Sequence, residues 1–333
     1  MFGSRNKNVI TNGDTTFYQF DHKMGFWGVP NLEKEVCFQQ LPEVPVRVKH
    51  NSHGNRDENI ELKKNERTIV CFGGSHTWGG AVDQEARYTN RLGKMIGRKV
   101  VNMGHCSLGL DQVCLAILQK SSEFKPEIIV IEQYPWAVHR VLNNYVNGYV
   151  RPHFVLDHKG KLQLHKVSSF AKIPLFRNII GSFFAFRKEF IEFKSGINLK
   201  NTSGDNFVDP IFVSWKTRHY DYMYDLIDKI LMVIRDYCYQ HKIKLLFGLG
   251  AIQQQFGPES KSKLLDYDLP RKRLIELLEK NKVNYVDMTD PMLEEHTKSD
   301  PVIYDDGHIN AKGHDVFAKI LHKEFIKLNW IAK

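Results

Sequence analysis

Two polar segments of the sequence hold side chains of the types that carry out acyl transfer. Residues 69–80 (IVCFGGSHTWGG) place Ser75 between two pairs of glycines, after a β-branched and aromatic run. Residues 304–314 (YDDGHINAKGH) hold Asp305 and His308 three positions apart. A serine, an imidazole that takes its proton and a carboxylate that orients the imidazole make up a nucleophilic triad. These residue types therefore point to a serine-dependent site.

The glycine-rich segment around Ser75 is compatible with more than one role. A Gly-Gly-Ser sequence is most often a tight turn. A phosphate-binding loop would need a lysine before the serine, and a dinucleotide site would need G-x-G-x-x-G; neither pattern is present. A second segment, residues 102–112 (NMGHCSLGLDQ), predicts another tight loop before a helix. It adds Cys106, which is either an alternative nucleophile or a buried small thiol.

The segment around His308 allows two further interpretations. Asp306 and His314 enlarge the Asp/His cluster, and such clusters can bind metal ions. No further ligand stands at a diagnostic spacing, so metal binding is the weaker interpretation. Asn310 is suited to the N-cap of a final helix, which explains the asparagine but gives no reason for His308.

Strands and helices alternate along much of the chain, and this alternation predicts how the segments meet. Short apolar runs predict five strands near residues 70, 100, 129, 245 and 285, with helical patterns between them. Such alternation is typical of a mostly parallel sheet covered by helices on both faces. Since ligands bind at the carboxyl ends of the strands in such a sheet, we expect Ser75 and His308 to lie at one edge.

The pattern also predicts how the chain is divided. We expect an α/β domain over residues 67–333, interrupted by an insertion at about residues 137–215, and an irregular N-terminal arm over residues 1–66. Within the insertion, residues 149–167 predict a β-hairpin that turns at DHKG. Residues 173–193 are rich in Phe and Ile and predict a helix that packs on the core, or else a lid or a membrane-touching surface.

Composition excludes several classes of protein. The formal net charge of +9 comes from scattered basic residues, without a run dense enough for nucleic-acid binding. The five cysteines are an odd number and form no CxxC pair, which favours free thiols in a reducing compartment. No signal peptide and no bilayer-spanning run is visible. We therefore expect a cytoplasmic protein without a nucleic-acid partner or stable membrane insertion, and the oligomeric state is left open.

Taken together, the segments resemble those of the SGNH, or GDSL-like, hydrolase superfamily. FGGSHTWG (residues 72–79) resembles its first block, in the variant with glycine replacing the usual aspartate before the serine, and DDGHINAKGH (residues 305–314) resembles its last. NMGHCSLGLDQ resembles the second block more loosely. HNSHGNRD (residues 50–57) resembles a stretch upstream of the first block in many bacterial members. The resemblance covers about residues 45–136 and 217–328, and it implies a flavodoxin-like three-layer α/β/α sandwich with a five-stranded sheet.

The resemblance implies a role for each residue that matches a block. Ser75 matches the nucleophile, His308 the general base and Asp305 the group that orients it. The backbone N–H of Ser75 matches one donor of the oxyanion hole. A second backbone donor falls in the loop after the second strand, at Ser107, with Gly104 as a neighbouring candidate.

The third oxyanion donor of the family has no direct counterpart. The family carries an asparagine side chain in a Gly-x-Asn-Asp block after the third strand, where this chain reads IEQYPWAVHR (residues 131–140). Gln133, His139 or Asn143 are candidates to substitute. Loss of one donor typically slows catalysis by about a hundred-fold or more.

The resemblance leads to alternative functions of different classes. The first is a serine esterase or O-acyltransferase, whose acyl-enzyme is resolved by water or by a sugar hydroxyl. Its substrate would be a small-molecule or glycan ester, and it would need no cofactor and no metal. The second is a catalytically inactive binding module with the same fold, which the missing asparagine motivates. A flavin- or nucleotide-binding flavodoxin-like protein is the third.

Overall fold

The computed structural model describes residues 9–10, 14–146, 148–168, 172–173, 179, 218–251, 255, 266–297, 299–304 and 307–331. Its strands, in chain order, are β1 (Val9–Ile10), β2 (Tyr18–Asp21), β3 (Gly25–Gly28), β4 (Glu33–Phe38), β5 (Leu41–Lys49), β6 (Thr68–Gly73), β7 (Val100–Gly104), β8 (Pro126–Gln133), β9 (Tyr145–Val146), β10 (Tyr149–Val150), β11 (His153–Leu156), β12 (Leu162–His165), β13 (Lys244–Leu249) and β14 (Asn284–Asp287). Its α-helices are α1 (Ser75–Trp78), α2 (Tyr88–Ile96), α3 (Leu110–Lys120), α4 (Arg218–Gln240), α5 (Leu269–Lys280), α6 (Thr289–Glu295) and α7 (Ala311–Lys327).

The central sheet has five strands in the order β14-β13-β8-β6-β7, and every neighbouring pair is parallel. Numbered along the chain, this order is 2-1-3-4-5, which is the flavodoxin-like arrangement. The predicted fold class and all five predicted strands are therefore confirmed. The central strands are continuous apolar runs, as in β6, because both faces of a parallel sheet are covered by helices.

Helices pack in pairs to form the two outer layers. Helix α2 packs against α7, whereas α3 packs against α4. The last helix begins as predicted, because the Asn310 side chain caps it by accepting the Gly313 N–H at 3.0 Å. This cap fixes the start of α7 directly after the segment that holds His308.

The N-terminal region differs from the prediction of an irregular arm. Strands β1, β4 and β5 form a small sheet, and β2 pairs with β3 in a hairpin. Phe17, Phe26 and Phe38 from this region are fully buried. The strands escape detection because two prolines interrupt β5, which is an edge strand where the missing N–H groups are tolerated.

The insertion is described only in part. The predicted hairpin is confirmed by β11 and β12, which pair antiparallel on either side of a turn held by Asp157 Oδ1. The Phe- and Ile-rich segment at residues 173–193 lies almost entirely outside the described residues, so the alternatives for it stay predictions. Among the helices that the structure describes, none is both long and apolar enough to cross a membrane.

Candidate active site

The serine segment forms a sharp turn from β6 into the one-turn helix α1, which begins at Ser75. A Cβ atom at Gly73 would lie 2.2 Å from Thr77 Oγ1, and one at Gly104 would lie 2.3 Å from the Trp78 backbone nitrogen. Glycine at both positions therefore allows α1 to approach β6 and β7 closely. The Ser75 N–H lies in the first turn of the helix, where no intrahelical acceptor is available to it.

Ser75 and His308 meet at the carboxyl edge of the sheet. Ser75 Oγ lies 2.8 Å from His308 Nε2, although the residues are 233 positions apart in sequence. The turn that carries His308 is closed by a hydrogen bond from the Tyr304 N–H to the His308 carbonyl at 2.7 Å, and by a bridge between Ile303 and Ile309. The pair has the geometry of a nucleophile and its base.

Of the other members of the predicted Asp/His cluster, His314 alone lies within the described residues. Asp305 and Asp306 lie outside the described residues, so the orienting role of Asp305 stays a prediction. His314 is fully buried and accepts the Tyr88 N–H at 3.2 Å, so it belongs to the packing of α2 on α7. No group of three His, Cys, Asp or Glu side chains within the described ranges is placed to hold a metal ion.

Three aromatic rings stack beside Ser75. The Tyr134 and His76 rings have centroids 3.5 Å apart and planes 13° apart, while His76 and His308 have centroids 4.9 Å apart and planes 23° apart. Burial, reinforced by the neighbouring imidazoles and by Arg140, holds the pKa of His76 well below its usual range. His76 is therefore a neutral ring that supports the plane of His308 without adding a charge beside it.

A buried carboxylate supports the serine turn from the end of β8. Glu132 Oε2 accepts the Gly74 N–H at 3.2 Å and the Thr77 hydroxyl at 2.9 Å. Burial raises the pKa of Glu132 to about 7, although these hydrogen bonds and the charge of Arg140 act in the opposite direction. Glu132 thus connects the third strand of the sheet to the loop that carries the serine.

Of the two oxyanion donors predicted in the second loop, Ser107 stays a prediction and Gly104 is excluded. Ser107 has a φ of +65°, in the left-handed region where glycine is usual, which fits a position that is glycine in the resembling family. The prediction that Gly104 donates to an oxyanion is wrong, because its N–H already donates to Asn102 Oδ1 at 2.9 Å. Cys106 is 1% exposed and burial raises the pKa of its thiol to about 12, which argues against a thiolate nucleophile.

The three candidates for the missing side-chain donor make contacts within their own segment. Gln133 Nε2 donates to the carbonyl of the next residue at 2.8 Å, and His139 Nδ1 lies 2.7 Å from the Trp136 carbonyl. For Asn143 the contact is made by the backbone N–H, which donates to the Arg140 carbonyl at 3.1 Å. None of these contacts reaches the serine turn, so their roles as donors stay predictions.

Arg140 is a side chain at this edge that the sequence reasoning missed. It lies in the 3₁₀ helix Pro135–Leu142, directly after β8. Its Nη1 donates to the Leu108 carbonyl at 3.3 Å, and its guanidinium carbon lies 5.0 Å from the centroid of the Trp136 ring. The one signal was an arginine in the largely apolar segment YPWAVHRVL, where little else could neutralise it.

The polar stretch before β6 forms a support for α1. The buried Arg56 guanidinium donates to the carbonyls of Gly79 and Val82, the latter at 2.8 Å. Asp57 Oδ2 accepts the Asn102 N–H at 2.9 Å. These bonds tie the end of α1 and the strand β7 to one segment, which accounts for the burial of a stretch so rich in polar residues.

Comparisons with known proteins find similarity in structure only. No family model matches the chain, and no curated protein matches it in sequence. A lipolytic protein of the G-D-S-L family from Veillonella parvula is 12% identical over 78% of this chain and 99% of its own, with a TM-score of 0.44. An acetyl xylan esterase is 12% identical over 77% of this chain and 98% of its own, with a TM-score of 0.44.

A lipase/acylhydrolase from Enterococcus faecalis is also similar, at 12% identity over 78% of this chain and 95% of its own, with a TM-score of 0.42. At this level of similarity, the functional argument depends on the side chains of the site and not on these relatives.

Proposed function

We propose that this chain is a serine hydrolase or acyltransferase that acts on ester bonds. Ser75 is the nucleophile, His308 is the general base and Asp305 orients His308. The observation that carries the proposal is the 2.8 Å hydrogen bond between Ser75 Oγ and His308 Nε2 at the carboxyl edge of the parallel sheet.

The surroundings of the pair support this assignment. Ser75 begins α1, so its N–H has no acceptor within the helix and can donate to a developing negative charge. His76 stacks on His308 and is neutral, so it does not oppose the positive charge that His308 gains. A turn with only a structural purpose would not need an imidazole held against its serine.

The reaction proceeds in two halves. Ser75 Oγ attacks the ester carbonyl carbon while His308 Nε2 takes the hydroxyl proton, and the carbonyl oxygen becomes an oxyanion. When this tetrahedral species collapses, the bond to the alcohol breaks and His308 returns the proton to the leaving oxygen. A water molecule or a second alcohol then attacks the acyl-Ser75 ester by the same steps in reverse.

We further propose an O-acyl group on a carbohydrate as the substrate. Trp136 is partly exposed and lies against the Arg140 guanidinium at the same edge of the sheet, so it offers an aromatic face on which a sugar ring can pack. Water as the acceptor gives an esterase, whereas a sugar hydroxyl gives an O-acyltransferase.

The direct test compares the wild-type protein with Ser75→Ala. We expect the wild type to react with a fluorophosphonate probe and to hydrolyse p-nitrophenyl acetate. We expect Ser75→Ala to lose labelling and at least about 10³-fold in kcat/KM, because the nucleophile is absent.

Ser122→Ala is a matched control, since Ser122 is an exposed serine at the opposite edge of the sheet. It should label and turn over like the wild type. Labelling that persists in Ser75→Ala would disprove the role of Ser75. A wild-type protein that neither labels nor hydrolyses esters would favour the binding module.

A further inference from the structure

The guanidinium of Arg140 lies between the two loops that carry Ser75 and Ser107. On one side, its Nη1 is 3.5 Å from the point that a Cβ at Gly74 would occupy. On the other side, the same Nη1 donates to the carbonyl of Leu108 at 3.3 Å. These two distances place the cation beside the residue before the nucleophile and beside the residue after the second predicted oxyanion donor.

Arg140 forms no ion pair with a carboxylate in the part of the chain that the structure describes. Its contacts there are the Leu108 carbonyl and the face of Trp136. Glu132 acts on it through space, but the Glu132 oxygen Oε2 is engaged by the serine turn. Burial lowers the pKa of Arg140 to about 10, so the guanidinium stays protonated at neutral pH.

Arg140 lies in the segment after β8, where the asparagine donor of the resembling family is absent. The sequence lacks that amide donor, and the side chains of Gln133 and His139 make contacts within their own segment. Arg140 comes from the same segment and points a stronger, charge-assisted donor towards the serine turn.

We propose that Arg140 is a catalytic residue whose guanidinium donates a hydrogen bond to the oxyanion formed when Ser75 attacks the substrate carbonyl. This inference rests on the proposed function. Arg140 keeps its protons throughout: the proton of Ser75 goes to His308, and the negative charge stays on the carbonyl oxygen until the leaving alcohol departs. A fixed cation stabilises the negatively charged oxyanion more than it stabilises the neutral carbonyl oxygen of the bound substrate. Arg140 therefore lowers the free energy of the transition state relative to that of the bound substrate.

Gly74 has a specific part in this arrangement. The space next to its Cα accommodates a Cβ at ordinary van der Waals distance from Arg140 Nη1, so packing alone does not require glycine. A carboxylate side chain at this position would pair with the guanidinium and neutralise it. Glycine leaves the cation available to the substrate.

The first experiment measures p-nitrophenyl acetate hydrolysis by Arg140→Gln and Arg140→Lys, with Arg98→Gln as a control from the opposite edge of the sheet. We expect kcat to fall about 10²- to 10³-fold in Arg140→Gln, with KM changed less than about threefold. Arg140→Lys should retain part of the rate, and Arg98→Gln all of it. The affinity for phenylboronic acid, which forms a tetrahedral adduct with an active serine, should fall in Arg140→Gln together with kcat/KM.

The second experiment leaves Arg140 in place and compares Gly74→Asp with the isosteric Gly74→Asn. We expect Gly74→Asp to lower kcat at least about tenfold more than Gly74→Asn, because only the carboxylate neutralises the guanidinium. This pair keeps the proposal testable if Arg140→Gln proves unstable in thermal unfolding.

The outcomes separate this inference from the proposed function. If Ser75→Ala is inactive but Arg140→Gln retains kcat within about threefold, or changes KM alone, the role of Arg140 is disproved and the esterase assignment stands. Equal rates in Gly74→Asp and Gly74→Asn would also overturn it. A wild-type protein without Ser75-dependent activity would overturn both proposals.

Discussion

Glu127 and Glu132 lie at opposite ends of β8, and their carboxylates differ in burial and in hydrogen-bond partners. Glu127, at the amino edge of the sheet, accepts hydrogen bonds from Arg98 at 2.6 Å and Lys244 at 3.0 Å. Partial burial acts to raise the pKa of Glu127, but these two cations outweigh it and hold the pKa below its usual range. Glu132, at the carboxyl edge, is 3% exposed, and burial raises its pKa to about 7.

The difference shows how the two edges of one sheet are used. At the amino edge, charges are paired with one another and partly exposed to water, which costs little and requires no precise geometry. At the carboxyl edge, His76, Glu132 and Arg140 are held beside Ser75 with their charged forms disfavoured by burial. Groups kept in this state are typical of catalytic sites, where they are arranged for a reaction and not for stability.

The largest expected effect is on activity, and it is measured by replacing one histidine at each edge of the sheet. We expect His308→Asn to lower kcat/KM for p-nitrophenyl acetate by about 10³-fold or more, because the base that accepts the serine proton is lost. His241→Asn is the matched variant at the amino edge, where His241 is exposed and stacks on Tyr237. Equal losses in the two variants, or no loss in His308→Asn, would remove the functional distinction between the edges.

A smaller effect should appear in stability when Glu132 is replaced by Gln. The folded protein keeps a proton on Glu132 that the unfolded chain releases, because the pKa is raised from 4.5 to about 7 on folding. The wild type should therefore lose stability as pH rises from about 4.5 to about 7, by on the order of 3 kcal/mol, and Glu132→Gln should not show this loss.

Urea unfolding of both proteins between pH 5 and pH 8 measures this difference directly. The gap between their free energies of unfolding should move in favour of Glu132→Gln as pH rises and become constant above the pKa of Glu132. Parallel curves over the whole range would show that the carboxyl is not protonated in the folded state near neutral pH.

The smallest effect is expected at the other end of the same strand. Glu127→Gln removes two partly exposed ion pairs, so the free energy of unfolding should fall by less than about 1 kcal/mol, and less still at high salt. Because the pKa of Glu127 is lowered, its contribution is present at neutral pH and is lost on acidification. A loss of more than about 1 kcal/mol in Glu127→Gln, or one insensitive to salt, would contradict the contrast between the edges.

Much of the fold was accessible to sequence reasoning because its signals are local. The five strands of the central sheet are continuous apolar runs, and helices with clear periodicity alternate with them, so their parallel arrangement follows from this alternation. The meeting of Ser75 with His308 was predictable for the same reason, since both follow elements that end at one edge. Two of the small strands of the N-terminal region were missed because glycines in β3 and prolines in β5 obscure their alternation.

The environment of individual side chains was not accessible in this way. Nothing in the order of residues shows that Gly104 commits its N–H to Asn102, or that the Arg140 guanidinium reaches back to the serine turn. The burial of a polar group and its hydrogen-bond partners depend on residues far apart in the chain. They decide whether the group is available to a substrate or is engaged in the structure.

By itself, the sequence determined the strand pattern and the residue types present at the carboxyl edge, because hydrophobic periodicity and short connections act over neighbouring residues. Only the tertiary structure decided that Ser75 Oγ comes within 2.8 Å of His308 Nε2, and that Glu132 is buried against the serine turn while Glu127 meets two cations. Electrostatic energies depend on the distance between charges and on their exclusion from water, and both quantities exist only once the chain has folded.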